Sequence, residues 1–217
     1  MDSLIFDVDG TLWDSTFIVA KAWNDYLLSE DGKDYHITDV TLKGLFGRLL
    51  IDIAKALFPD KSYSEQARLI DECCQKEHEA LLATPAPLYP GMENTLRCLS
   101  EKIPLFIVSN CQAGYIEVFL EGTGTEMYFQ DHLCPGDTGK AKAENILTIK
   151  EKHHLSSPFY VGDTRGDFNA CKEAGVPFIH VNYGFASVPD APYQADTPDE
   201  LLSLCEKLIE QASGPNQ

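Results

Sequence analysis

The segment Leu4-Ile5-Phe6-Asp7-Val8-Asp9-Gly10-Thr11-Leu12 constrains the chain more than any other. A short apolar run, read as a strand, ends in two carboxylates separated by one residue. Along an extended backbone, residues i and i+2 share a side, so Asp7 and Asp9 can approach one ligand as the strand ends. Gly10 and Thr11 follow as a turn that can offer N–H groups to an anion. A calcium loop would continue with oxygen ligands at alternate positions and a distal Glu. Thr11, Leu12 and Trp13 do not continue it.

Downstream, 14–84 carries helical periodicity, with helices predicted at 17–28, 49–58 and 64–82. The breaker-rich Pro85-Ala86-Pro87-Leu88-Tyr89-Pro90-Gly91 marks a boundary. Beyond it helix and strand alternate: strands at 104–108, 131–134, 159–162 and 178–181, and helices at 92–101, 115–120, 143–152 and 167–174. A terminal helix opens on Thr197-Pro198-Asp199-Glu200, a capping box with proline at the first helical position. Only 213–217 reads as frayed. The expected fold is α/β: a Rossmann-like parallel sheet with helices on both faces and an inserted all-helical cap. Residues 1–13 plus 89–217 form the core and 14–88 the cap.

Three further strand ends carry chemistry. The strand Leu105-Phe106-Ile107-Val108 delivers Ser109 and Asn110 where ligands bind in open α/β sheets, although Ser-Asn by itself is an ordinary turn. Gly139-Lys140-Ala141-Lys142 precedes a helix and offers two lysines. The strand Phe159-Tyr160-Val161-Gly162 ends in Asp163 and, four residues on, Asp167, a spacing that helix N-terminal charge alone can also produce.

Taken in order, these segments resemble the four motifs of the haloacid dehalogenase superfamily: DxDGT, a strand-end Ser, a Lys before a helix, and GDxxxD. The resemblance spans Leu4 to Asp167. It implies a magnesium-dependent phosphatase in which Asp7 forms an aspartyl phosphate and Asp9 is general acid, then base. Thr11, Ser109 and Asn110 would bind the phosphoryl group, and Lys142, preferred to Lys140 because it adjoins the helix, would neutralise it. Asp7, Asp9 through its carbonyl, Asp163 and Asp167 would hold Mg2+. Asp9 excludes the dehalogenase branch, which lacks the second aspartate. A helical insertion between the first two motifs resembles the branch of phosphoglycolate phosphatase and β-phosphoglucomutase, so the expected substrate is a small phosphorylated metabolite, phosphoglycolate-like or a sugar phosphate. A phosphomutase using the same motifs, or a silent binding protein that kept the fold, are the alternatives. In the insertion, Lys43 and Arg48 flank two glycines and are assigned to the substrate. Trp13 is assigned to packing, and Cys111 to a buried, inert position.

With 34 acidic and 17 basic residues the net charge is −17, which argues against nucleic acid or an anionic membrane as partner. The seven cysteines show neither a CxxC pair nor zinc spacing and read as reduced. The chain opens on its first strand, leaving no room for a signal peptide, and no apolar run has the length of a span. A cytoplasmic monomer or homodimer is expected.

Overall fold

The computed structural model describes residues 1–213; the predicted frayed segment 213–217 falls almost entirely outside that range. Strand β1 (Ser3–Phe6) is followed by four helices: α1 (Thr16–Asp31), α2 (Asp39–Lys43), α3 (Leu50–Leu57) and α4 (Tyr63–Ala83). Next come α5 (Met92–Ser100), β2 (Leu105–Val108), α6 (Tyr115–Thr123), β3 (Phe129–Leu133), α7 (Pro135–Thr138) and α8 (Lys142–Lys152). The series closes with β4 (Pro158–Gly162), α9 (Arg165–Ala174), β5 (Phe178–Val181), β6 (Tyr193–Ala195) and α10 (Pro198–Ser213).

The strands form one parallel sheet in the order β3-β2-β1-β4-β5-β6. Because side chains alternate across a strand, each apolar run supplies two cores. Ile5, Phe106, Val108, Tyr160 and Phe178 face one way and pack with Ile146 and Ile149 of α8 and Cys171 of α9. Leu4, Phe6, Leu105, Ile107 and Val181 face the other way, in a core that includes Leu96 of α5 and Leu201 of α10. That second core runs on into the helical block through Trp13, Trp23, Leu69 and Cys73. No described helix is long and apolar enough to cross a membrane.

The sheet places the chemistry. β1 lies between β2 and β4, so Asp7, Ser109 and Asp163 leave three adjacent strands at their carboxyl ends, on either side of the point where the strand order reverses. Asp7 is held there by its N–H, which donates to Val161 O at 2.9 Å. The helical block departs and returns at one place: Trp13 forms a bridge with Leu88, and the Tyr89 N–H donates to Leu12 O at 3.0 Å.

Several elements differ from the sequence reading. The short α2 and the edge strand β6 were not expected, because five and three residues are too few to display a period. α9 begins at Arg165 rather than 167, since Thr164 caps it by accepting from the Asp167 N–H. At α10, Thr197 accepts from the Glu200 N–H at 3.1 Å, but the Glu200 carboxylate reaches the N–H of Asp196 rather than that of Thr197.

Trp13 is fully buried, edge-on to Phe119 at 5.0 Å between centroids. Trp13→Ala is expected to lower the unfolding free energy by about 3–5 kcal/mol, measured by urea denaturation.

Candidate active site

Lys142 occupies the first position of α8, yet it is only 4% exposed. Its Nζ donates to Asp7 Oδ1 at 2.9 Å and to Asp167 Oδ1 at 2.5 Å. Burial opposes its charge, but Asp167 and Asp7 override that and hold its pKa above the ordinary lysine value. Lys140 is exposed, with its Nζ against Thr148 Oγ1 at 3.3 Å. The lysine that adjoins the helix is thus the one that meets the acids.

Asp7, Asp163 and Asp167 gather so closely that one carboxylate oxygen of each lies within 4.8 Å of the others, and all three are buried. Burial raises the pKa of Asp7 against the pull of Lys142. Asp163 is raised well above the carboxylate range by burial and by its two acidic neighbours. Its Oδ2 accepts from the Phe185 N–H at 2.6 Å, whereas its Oδ1 is buried without a partner. Asp167 is fully engaged: Oδ2 accepts from the Thr164 N–H and hydroxyl at 2.9 and 2.6 Å, and Oδ1 from Lys142. An orphaned carboxylate oxygen among hard oxygen donors fits a divalent cation of the magnesium type. The cradle is tight, since a Cβ at Gly10 would stand 2.1 Å from Asp163 Oδ2 and one at Gly184 2.2 Å from Asp163 Cβ.

Asp9 has a different surrounding. Its Oδ1 accepts from Trp13 Nε1 at 3.0 Å, Ser15 Oγ at 2.7 Å and Tyr115 OH at 2.7 Å. Burial nevertheless pushes its pKa up to about 7, against those three donors and with help from the Asp7 charge. Asp7 is therefore braced by an ammonium, whereas Asp9 has only neutral donors and can carry a proton near neutrality, as a general acid must. Trp13 packs as expected and in addition donates to Asp9.

The other assigned residues divide. Ser109 is buried and hydrogen-bonds Asp7. Asn110 Nδ2 donates to Gly47 O at 2.9 Å, joining the strand end to the helical block, and its Oδ1 is buried without a partner. The amides of Gly10 and Thr11, expected to face an anion, are instead spent closing the turn, on Trp13 O at 2.9 Å and Val8 O at 3.2 Å. Thr11 is wholly enclosed and does not line the cleft, although its hydroxyl has no partner. Lys43 pairs with Asp14 at 2.8 Å and Asp39 at 3.6 Å. Arg48 is exposed and donates to Gly44 O at 3.0 Å. Neither of these two lines the cleft. Cys111 does, but burial raises its thiol well above the ordinary value, which makes it a poor nucleophile.

Asp7, Asp9, Ser109 and Asn110 share the cleft with residues that sequence reasoning missed: Glu77 and Trp23 from the helical block, Gln112 and Tyr115 from the core. The free space is about 20 Å³, room for roughly one water, so a substrate enters only if the helical block moves. Glu77 is 2% exposed, accepting from Trp23 Nε1 at 2.9 Å and Gln112 Nε2 at 3.0 Å. It had a signal, being the one acid on the α4 stripe of Ile70, Cys74 and Leu81.

Burial raises the Glu77 pKa from 4.5 to about 8, despite the Gln112 hydrogen bond and with a contribution from Asp9. Between those values the folded protein holds a proton that the unfolded chain has released, so its stability falls as pH rises. The unfolding free energy should decline from about pH 4.5 to pH 8 and then level off with respect to this group. Glu77→Gln should flatten the decline, as read from urea titrations across that range.

Comparison with known proteins gives a consistent picture. Residues 4–181 match the family model described as haloacid dehalogenase-like hydrolase. A phosphoglycolate phosphatase of Agrobacterium fabrum is 29% identical over 215 residues, covering 95% of this chain and 92% of its own. Another, from Synechococcus elongatus, is 29% identical over 227 residues and covers 97% and 100%. Among solved structures, a haloacid dehalogenase-like family hydrolase from Streptococcus pneumoniae superposes with a TM-score of 0.77 at 23% identity, covering 94% of this chain and 98% of that one. A HAD hydrolase of family IA from Entamoeba histolytica gives 0.79 at 20% identity, covering 97% and 100%.

Proposed function

The chain belongs to the haloacid dehalogenase-like hydrolase family and is a phosphatase, and from that premise we propose that it hydrolyses a small phosphorylated metabolite with magnesium, through an aspartyl phosphate on Asp7. The observation that carries this reading is the contrast between Asp7, gripped by the Lys142 ammonium, and Asp9, gripped by the neutral donors Trp13, Ser15 and Tyr115.

In the first half-reaction the Asp7 carboxylate attacks phosphorus. Its O–P bond forms as the ester O–P bond breaks, and Asp9 gives its proton to the departing alkoxide, which leaves as the alcohol. In the second, Asp9, now ionised, takes a proton from water while the water oxygen attacks the same phosphorus. Inorganic phosphate is released and Asp7 is restored. The Ser109 hydroxyl binds a phosphate oxygen as negative charge gathers there, and Lys142, behind Asp7, screens Asp7 from the incoming anion and lowers the local negative charge. Bound magnesium, held by Asp7, the Asp9 carbonyl and Asp163, would supply the positive charge that lets a phosphate dianion approach a carboxylate. Asp167, with both oxygens engaged, positions Lys142 and would add its charge to the group that holds the metal. Residues 14–88 act as a cap and the remainder as the catalytic core, a division supported by the Trp13–Leu88 bridge. Closure of the Gly47 segment onto Asn110 excludes bulk water from the reacting atoms.

Asp7→Asn should leave the circular dichroism spectrum unchanged and reduce release of inorganic phosphate from an aryl phosphate by at least about a thousandfold, as loss of a nucleophile does. Residual turnover near the wild-type rate would overturn the covalent route.

Magnesium at a hundred times its dissociation constant should stabilise the wild-type protein by about 2.7 kcal/mol, visible as a rise in melting temperature. Asp163→Asn should lack that rise while being at least as stable as wild type without metal, because it removes a buried carboxylate with an unpartnered oxygen. A full magnesium shift in the variant would take Asp163 out of the metal site.

A further inference from the structure

The cleft has two chemically different ends. At one are Asp7 and Ser109, with Lys142 behind Asp7. At the other, beneath the helical block, Glu77 is set among Trp23, Phe46, Leu50 and Ile53. Among the described residues, no lysine or arginine lines this cleft. Lys142 is committed to Asp7 and Asp167, Lys43 to Asp14 and Asp39, and Arg48 is exposed on Gly44 O. His78, against Gln112 at 3.0 Å, is held toward its neutral form by burial.

Resting on the phosphatase reading above, we propose that the leaving-group end of the cleft takes uncharged, hydroxyl-bearing phosphate monoesters of the sugar or polyol class and rejects acid phosphates such as phosphoglycolate, with Glu77 as the residue that sets the choice.

A carboxylate on the leaving group would be buried beside Asp9 and Glu77 with no cation to pair with, which is the costliest arrangement a polar group can meet. Protonation of Glu77 does not remedy this, since one shared proton leaves the added negative charge in place near Asp7 and Asp9. A hydroxyl group suits the same surroundings. Each Glu77 oxygen accepts one hydrogen bond from the protein, from Trp23 or Gln112, and a carboxyl oxygen can accept a second. A substrate hydroxyl supplies that donor, and the apolar walls cover the carbon skeleton. Rejection of an unpaired charge then adds to attraction through a satisfied hydrogen bond. Relatives named phosphoglycolate phosphatase are 29% identical, a distance at which a leaving-group pocket can differ while the catalytic motifs stay.

The test is a set of kcat/KM values with magnesium for nitrophenyl phosphate, glycerol phosphate, a hexose phosphate and phosphoglycolate, with wild type, Glu77→Gln and Glu77→Arg, each variant checked for folding by circular dichroism. Wild type should prefer the better of the two hydroxylated substrates over phosphoglycolate by at least about tenfold. That ratio should shrink in Glu77→Gln and shrink further or invert in Glu77→Arg. Phosphoglycolate turned over by wild type as well as the hydroxylated esters overturns the proposal and leaves the phosphatase reading intact. An unchanged ratio in folded Glu77→Gln removes Glu77 from the choice, and this comparison stands even if the arginine variant does not fold. Absence of turnover on every ester, nitrophenyl phosphate included, overturns the phosphatase reading and this proposal with it.

Discussion

A buried ammonium shared by two buried carboxylates organises this molecule. At 4% exposure Lys142 cannot keep its charge without partners, and those partners come from the end of β1 and from α9, so one side chain ties together two elements far apart in sequence. Burying such ions has a large desolvation cost, which is recovered only when geometry and further hydrogen bonds are good. Here they are: Thr164 closes the remaining oxygen of Asp167 while capping α9. A third acid, Asp163, has no such compensation at one oxygen. One ammonium among three acids leaves negative charge in excess, and a divalent cation is the natural complement.

The two aspartates of the first motif differ in surroundings more than in position. Asp7 answers to charge, while Asp9 answers to three neutral donors gathered on a single oxygen. Those donors come from the turn, from the residue before α1 and from α6. The proton affinity of Asp9 is therefore a property of the packed interior around Trp13 and Tyr115 as much as of the strand end.

Much of this was legible in the sequence. The apolar runs before Asp7, Ser109 and Asp163 declare strands, and their alternation with helices declares a parallel sheet, which brings three strand ends together by topology alone. What could not be read depends on distant packing. Nothing local says that the Tyr115 hydroxyl joins that of Ser15 on Asp9, or that Glu77 meets Gln112, because those two contacts span 106 and 35 residues. Glu77 was nonetheless visible as an acid on an apolar helical stripe. The turn amides misled for a local reason: Gly10 and Thr11 can face an anion only if the turn leaves their N–H groups unpaired, and Trp13 and Val8 carbonyls take both. Lys43 and Arg48 carried no pattern beyond being cationic beside glycines, and acidic or carbonyl neighbours claimed them.

The bridge between Trp13 and Leu88 has a consequence for how such a protein can diverge. An excursion whose two ends are pinned side by side closes a loop whose entropy depends only weakly on its length. On that count the strands and the strand-end acids scarcely register how many residues the excursion contains. On the proposed division into cap and core, changes in the exposed parts of the helical block would alter what is recognised with little effect on the sheet, whereas Trp23, Leu69 and Cys73 are held by the core they share with it. Catalysis and recognition are thus free to evolve at different rates within one chain.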